Sequence, residues 1–431
     1  MKEQKIGEVF NKLFALQILS SRGEPTVEVE MHTKIGVLRA SCPSGASTGK
    51  KEAKVICNKN TEKYGGKTVE EAISNIEKII ASKISDLSST KVTEQFEIDK
   101  FLLNLDGTLD KNKIGANAIL PISMAFCRLG SLSMNMKLYN FIANISKSRP
   151  KMPIPYFNVI NGGVHCGNML PFQEIMISFH SMNYEENLER AVSFYHDLKK
   201  VITKKYGLSA TCVGDEGGFG PPIQSLEQGL DLIKETICFN EKYQGIKVAI
   251  DCAANELFSN GFYSLDFKKK EQKIKLTSYE LIQYYIEILK CYPFLHMIED
   301  PFHESDIQAW KIFSDKIKNM NINVTGDDLT VTNKVYVKIA CSEKLCNTLL
   351  VKLNQIGTVY EAIEAMCLAR SNGMKIMVSH RSGETEDTFI SDFAVGIGAD
   401  YIKAGAPCRG ERVAKYNQLL RIYHDLKLKN N

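Results

Sequence analysis

The sequence predicts an α/β protein, with a small N-terminal α+β domain over residues 1–145 followed by a (β/α)8 barrel over residues 146–431. Three observations carry that prediction. The first third reads as strands and then helices, the order of an α+β unit. The remainder alternates short apolar runs with helical runs, which implies parallel strands. The alternation recurs every 25–30 residues or so, the size of one barrel unit if eight share about 250 residues.

In the first domain, Pro25-Thr-Val-Glu-Val-Glu-Met31 alternates apolar and polar, with Val27, Val29 and Met31 on one face. Ile35-Gly-Val-Leu-Arg-Ala40 follows after a polar break, and the two read as an antiparallel hairpin or meander. Helices are expected from Thr68 to Ile84, with Val69, Ala72, Ile73, Ile76, Ile79 and Ile80 at helical spacing, and from Asn117 to Leu129. The polar, proline-rich run Ser146-Lys-Ser-Arg-Pro-Lys-Met-Pro-Ile-Pro155 marks the boundary. In the barrel, strands are expected at Lys247–Ile250, Phe294–Ile298, Ile322–Thr325, Thr348–Val351, Met374–Val378 and Tyr401–Ile402. Helices are expected at Tyr279–Lys290, Asp306–Ile317, Val359–Ser371 and Asp387–Gly396.

Composition narrows the class. Apolar residues make up 44% and charged residues 24%, which excludes a disordered tail, a fibre or a coiled coil. The net charge of +4 on 431 residues gives no reason to expect nucleic acid or an anionic membrane as the main partner. Twelve cysteines are scattered with no C-x-x-C pair, which reads as buried thiols in a reducing compartment. The start, Met1-Lys-Glu-Gln-Lys-Ile6, has no apolar core of a secretory signal. The stretch from Met152 to Gln173 lacks acidic and basic residues but is broken by prolines and glycines, so it is no membrane helix. The cytoplasm is the expected compartment.

The strand ends carry the chemistry. The six expected strands finish in Asp251, Glu299, Asp327, Lys352, His380 and Lys403. Solubility scatters charge over helix faces; a barrel brings its strand tips to one mouth, where catalytic groups sit. Asp251, Glu299 and Asp327 together would raise one another's pKa, and a hard cation such as Mg²⁺ relieves that. The alternative is that each carboxylate pairs with a facing lysine. Lys352, near a cation and Lys403, is expected to have a lowered pKa and to serve as a base. Arg381, between His380 and Ser382, suits bidentate phosphate binding. The small-residue loop Pro43–Gly49, part of a mobile segment 43–52, is placed to close over a phosphate or metal. It is one residue short of a P-loop, and Gly396-Ile-Gly398 lacks the third glycine of a dinucleotide fingerprint. His165, Glu174 and Glu216 are candidate acids, bases or binders, and glycines around Asp215 and Glu216 point to a tight backbone that aims a carboxylate.

Taken together the motifs resemble the enolase family. Ser21-Arg-Gly23, Pro43 to Gly49, Asn161-Gly-Gly163 with His165, Gln173-Glu174, Gly214-Asp-Glu-Gly-Gly218 and Ile298-Glu-Asp-Pro-Phe302 all look like that family. So do Gly326 to Asn333, Lys352 to Thr358, Ser379 to Phe389, Ile402-Lys403 and Asn417 to Arg421, in family order over almost the whole chain. The resemblance implies an enolase-type barrel and reversible dehydration of 2-phosphoglycerate to phosphoenolpyruvate, a step of glycolysis and gluconeogenesis, with two Mg²⁺ per active site. It implies that Asp251, Glu299 and Asp327 hold the first Mg²⁺ and Ser47 a second. Lys352 would remove the C2 proton, Lys403 would stabilise the dianion, and Glu216 would protonate the departing hydroxyl. Arg381 and Ser382 would bind phosphate, with His165, Glu174 and His380 lining the pocket. It also implies a homodimer. The chain departs from the family pattern at Ser20, Glu24, Lys51, Pro222, Gly410 and His424, none of them a site position. Two other readings are a relative acting on a different carboxylate and a non-catalytic binding or structural protein on the same fold; the latter predicts a lost ligand or lost Lys352, and none is lost.

Overall fold

A computed structural model describes residues 4–46, 49–59, 61–181 and 183–430. The chain opens with a three-stranded antiparallel sheet: β1 (Phe10–Leu19), β2 (Pro25–Thr33) and β3 (Gly36–Ser41), with β2 central. Val27, Val29 and Met31 are fully buried, as their alternation requires. The sequence reading saw the β2–β3 hairpin but not β1, whose burial is irregular along its length.

The helical run after the sheet is not one regular helix. An α-helical Glu70–Asn75 passes into a π turn at Ile76–Ile80 and then into Ala81–Lys83. The wider π turn rotates the apolar face. Ala72, Ile76, Ile80 and Ile84 stay buried, while Ile79, expected on that face, is exposed. Helices α1 (Gln95–Asp106), α2 (Ala116–Ser133) and α3 (Leu138–Ser146) complete this part. Nearly every side chain of α2 is buried, because it touches the small sheet on one side and barrel helices on the other.

Eight strands close a barrel: β4 (Ile154–Asn161), β5 (Glu174–Ser178), β6 (Lys247–Asp251), β7 (Leu295–Glu299), β8 (Asn323–Gly326), β9 (Thr348–Val351), β10 (Lys375–Ser379) and β11 (Tyr401–Lys403). The six expected strands are present, each extending to or ending just before its terminal ionisable residue. The expectation of a parallel set holds for them but not for the whole barrel. Strand β5 runs antiparallel to both β4 and β6. A short 162–173 connection joins β4 to β5 where a parallel crossover would need a helix, so the chain simply turns back. Around the barrel stand α4 (Tyr184–Tyr206), α5 (Leu226–Ile237), α6 (Ser278–Cys291), α7 (Ile307–Ile317), α8 (Lys334–Glu343), α9 (Val359–Ser371), α10 (Phe389–Gly396) and α11 (Gly410–Asn430).

The barrel interior is packed, not open. Tyr156, Met176, Ala249, Met297, Leu350, Met377 and Tyr401 form an apolar plug inside it. No described helix is long and apolar enough to cross a membrane. The cysteines divide evenly among buried, half-buried and exposed positions, so the expectation of buried thiols fits Cys42, Cys127, Cys252 and Cys346 but not Cys212, Cys238, Cys291 or Cys367.

Candidate active site

The strand tips do converge. One cavity is lined by His165, Gln173, Glu174, Glu216, Asp251, Lys352, His380, Arg381, Ser382 and Lys403. At its base the Lys403 ammonium donates to Glu299 at 2.7 Å, Asp251 at 3.1 Å and Glu174 at 3.2 Å. All four side chains are almost wholly shielded from solvent. Burial lowers the lysine's pKa, but Asp251, Glu174 and Glu299 outweigh it and hold the ammonium well above its usual value. One ammonium does not balance three carboxylates. Burial, then Glu216, pushes Glu174 up; burial, then Asp251, pushes Glu299 up.

Lys352 faces Asp327 in a very short ion pair, and Gln355 donates to the other Asp327 oxygen at 2.8 Å. A lowered pKa is expected for Lys352 beside a bound cation; paired with Asp327 its shift is the opposite. Burial is the largest single influence and lowers its pKa, but Asp327, joined by Glu299, pulls the other way, and the net shift is upward. Of the three expected metal carboxylates, Asp251 and Glu299 meet Lys403, and Asp327 meets Lys352. Each of the three carboxylates thus faces a lysine. Compact groups with ligand atoms within 4.8 Å of one another form elsewhere in the same mouth, from Asp300, Asp327 and Asp328, and from His165, Glu174 and Glu216.

Backbone strain fixes the Asp327 loop. Asp300 has φ 40° and its carboxylate accepts the Asp327 and Asp328 N–H groups, each at 2.8 Å. Val331 and Thr332 also have positive φ, 43° and 54°, costly for β-branched residues. The Thr332 hydroxyl accepts the Lys352 N–H at 2.9 Å and donates to Gln355 at 2.9 Å. The strained turn thus sets both members of the Lys352–Asp327 pair.

Glu216 is aimed by its glycines. Gly217 sits at φ 87°, and a side chain at Gly218 would meet the Asn161 carboxamide oxygen at 2.9 Å. The Glu216 carboxylate accepts from Asn158 at 2.7 Å, with His165 at 3.4 Å and His380 at 3.7 Å. Arg412 donates to His380 Nδ1 at 2.7 Å, which leaves the proton of the neutral ring on Nε2, facing Glu216. Burial keeps His380 well below its usual pKa and brings His165 down to about 4.

The first domain closes the site. Ser44 and Gly383 exchange backbone hydrogen bonds, and the Ala46 N–H donates to the Ser382 hydroxyl at 2.8 Å. Ser47 lies outside the described residues. Beyond it, Glu52 accepts from Gly49 N–H at 3.1 Å, Arg381 at 3.0 Å and Gln355 at 3.3 Å. Glu52, Asn158, Asp300 and Arg412 were not singled out from the sequence. Glu52 sits among lysines in a stretch that reads as solvated, so nothing in the sequence marked it. Asp300 lay inside the quoted Ile298–Phe302 motif and was legible there.

Comparison with known families decides what this arrangement belongs to. A family model described as "Enolase, C-terminal TIM barrel domain" matches residues 149–430, and one described as "Enolase, N-terminal domain" matches residues 10–142. The chain belongs to the enolase family. Enolase membership accords with a barrel that follows a small N-terminal domain and supports a lyase-type activity of the enolase kind. The enolase family is metal-dependent, and the acidic clusters of the mouth are of a kind that could hold a metal ion.

Proposed function

We propose that this chain catalyses the reversible dehydration of 2-phosphoglycerate to phosphoenolpyruvate. The observation that carries the reading is a single cavity that gathers a lysine base candidate, a carboxyl acid candidate, a second lysine and an arginine–serine pair. A non-catalytic role on this fold does not call for all of these together.

The site fits a divalent cation on two counts. Three buried carboxylates share one ammonium, and Glu299 Oε2 is buried without a partner among the described residues. Asp251, Glu299 and Asp327 would hold a first Mg²⁺, an all-oxygen set that suits that ion, and Ser47 would contribute to a second. Bound Mg²⁺ supplies positive charge beside the substrate carboxylate and phosphate, which lowers the cost of building a second negative charge there.

The chain's own residues do the rest. Lys352 takes the C2 proton through its Nζ lone pair, which requires the neutral amine. Were Asp327 to hold a cation, it would no longer favour the charged form of Lys352, whose upward shift belongs to the lysine-paired arrangement. Lys403 stays charged and offsets the dianion that forms on the substrate carboxylate. Glu216, as the acid, gives its proton to the C3 hydroxyl; water leaves and the C2–C3 double bond forms. Arg381 and Ser382 bind the phosphate, and His165, Glu174 and His380 shape the pocket and exclude water. We place the domain boundary at residues 145–146, the protein in the cytoplasm, and the working form as a homodimer.

The test is ultraviolet detection of phosphoenolpyruvate formed from 2-phosphoglycerate, with and without Mg²⁺. Mg²⁺-dependent turnover is expected. No turnover with metal present overturns the reading.

A further inference from the structure

The opposite end of the barrel carries a second set of ionisable side chains that this chemistry does not use. Lys247 opens β6, Asn323 opens β8, Lys375 opens β10 and Tyr401 opens β11. His180 follows the end of β5, which reaches the floor because that strand is reversed. His296 arrives by another route. The register of β7 against β6 slips between Leu295 and Met297, so His296 is the extra residue of a bulge, and bulges re-aim side chains.

All but Lys247, which acts on both histidines through its charge, form one network. The His180 and His296 rings are 5.2 Å apart. The Tyr156 hydroxyl stands between them, 3.3 Å from His180 Nε2 and 3.0 Å from His296 Nδ1. The Asn323 amide donates to His296 Nδ1 at 3.2 Å, and its oxygen accepts from Lys375 at 3.0 Å. Lys375 also donates to the Tyr401 hydroxyl at 3.1 Å. Because His296 Nδ1 accepts, its proton sits on Nε2 and is available to a ligand.

The charge at this floor is one-sided. Lys375 meets only neutral acceptors, and Lys247 forms no ion pair among the described residues. The carboxylate beside Tyr401, Asp400, is taken by Lys151 at 3.0 Å and by the Ile376 N–H at 3.0 Å. Burial, followed by the nearby lysines and, for His296, its fellow imidazole, holds both histidines at about 4, so both are neutral at pH 7. Two ammonium groups repel a metal cation. Together with imidazole N–H groups they make a donor set for an oxyanion. Both lysines and His296 are half-buried and His180 is exposed, so an ion can enter from solvent.

We propose that the barrel floor is a second binding site, for a phosphate-type oxyanion held by Lys247, Lys375, His180 and His296. The site shares no residue with the mouth, so it stands or falls independently of the dehydration proposed above.

The experiment is NMR of the full chain with ¹⁵N-labelled histidine, its floor resonances assigned through His180→Gln and His296→Gln. Inorganic phosphate is titrated against sodium chloride at equal ionic strength. Phosphate is expected to move the His180 and His296 signals saturably and to raise both pKa values, since an anion stabilises imidazolium. Lys247→Met, at the rim, should weaken phosphate by about tenfold or more, the loss of one charge-assisted hydrogen bond. Lys375→Met should do the same, with circular dichroism reporting whether its fold is retained. Arg381→Ala, at the mouth, should leave the floor response intact. The proposal is overturned if phosphate moves neither signal, if the response survives Lys247→Met undiminished, if it vanishes in Arg381→Ala, or if Zn²⁺ rather than phosphate produces it.

Discussion

At the mouth, Lys403 lies within 3.2 Å of three carboxylates, whereas at the floor Lys375 lies 3.0 Å from an amide oxygen and 3.1 Å from a phenol. Both ends belong to the same strands, and the plug of Tyr156, Met176, Met297, Leu350 and Met377 lies inside the same barrel. The mouth has more buried anion than its lysines balance; the floor has cation and, among the described residues, no acid paired with it, Asp400 being taken by Lys151. The sign of the excess teaches what each end can attract. Removing a catalytic group at the mouth and removing a charged group at the floor should therefore have different consequences.

The sharpest break between the two ends comes from the base. We expect Lys352→Ala to abolish both turnover and exchange of the C2 proton of 2-phosphoglycerate with D₂O, read by proton NMR with Mg²⁺. Glu216→Gln should keep measurable exchange while dehydration falls by about 10²–10⁴-fold, the usual contribution of a general acid. Lys375→Met should leave both rates unchanged. Exchange that persists without Lys352 and vanishes without Glu216 would show that the two roles are reversed.

Next in size is Asp327→Ala, which removes the charge Lys352 and Gln355 now contact. Little activity and a much higher Mg²⁺ requirement are expected in an activity titration. An unaltered Mg²⁺ dependence would remove Asp327 from the metal-holding set.

A smaller effect should come from Glu52→Ala. It strips a buried carboxylate from Arg381 and leaves Gln355 and the Gly49 N–H without a shared acceptor. Breaking a buried pair from one side costs about 3–5 kcal/mol, measurable by denaturant unfolding. A loss well below 1 kcal/mol or so, the range of exposed pairs, would show that the contact is not structural.

The smallest effect concerns the floor's response to pH. His296 has a folded pKa of about 4 against an ordinary 6.5. The unfolded chain therefore binds more protons between these values, so stability rises as pH increases from about 4 to 6.5 and is lost in the reverse direction. His296→Gln should flatten that part of a stability–pH curve. A curve of unchanged slope would mean the imidazole is not held neutral by its surroundings.

Much of the mouth was legible because a barrel maps strand ends onto a ring, and each of the six ionisable residues from Asp251 to Lys403 stood within two positions of the end of an expected strand. Val359–Ser371 and Thr348–Val351 were found to the residue, since both are bounded by polar or turn residues. The floor was not legible. Lys247, Asn323 and Lys375 open their strands, where polar residues are unremarked, and His296 depends on a bulge that only pairing reveals. The π turn at Ile76–Ile80 escaped for a related reason: it inserts a residue into a helical period without altering the composition. The sequence put Lys352 and Asp327 in one mouth, but only the fold shows that the two are direct partners.

The reversed β5 and the closing pair β11–β4 impose an order on assembly. The β4–β5–β6 ladder is local and antiparallel, whereas closure joins Tyr401 to Ile154 and Lys403 to Tyr156 across most of the chain. Long-range pairing of this kind is the slow part of folding. Glu174, Asp251 and Glu299 are all made before Lys403, their shared counter-charge, which sits on the last strand. Until that strand docks, the unfinished mouth carries uncompensated acid. Docking of that strand therefore decides both ring closure and charge balance in one event. A chain truncated before Tyr401 would be an open, anionic sheet with an unpaired edge, prone to pair with its neighbours.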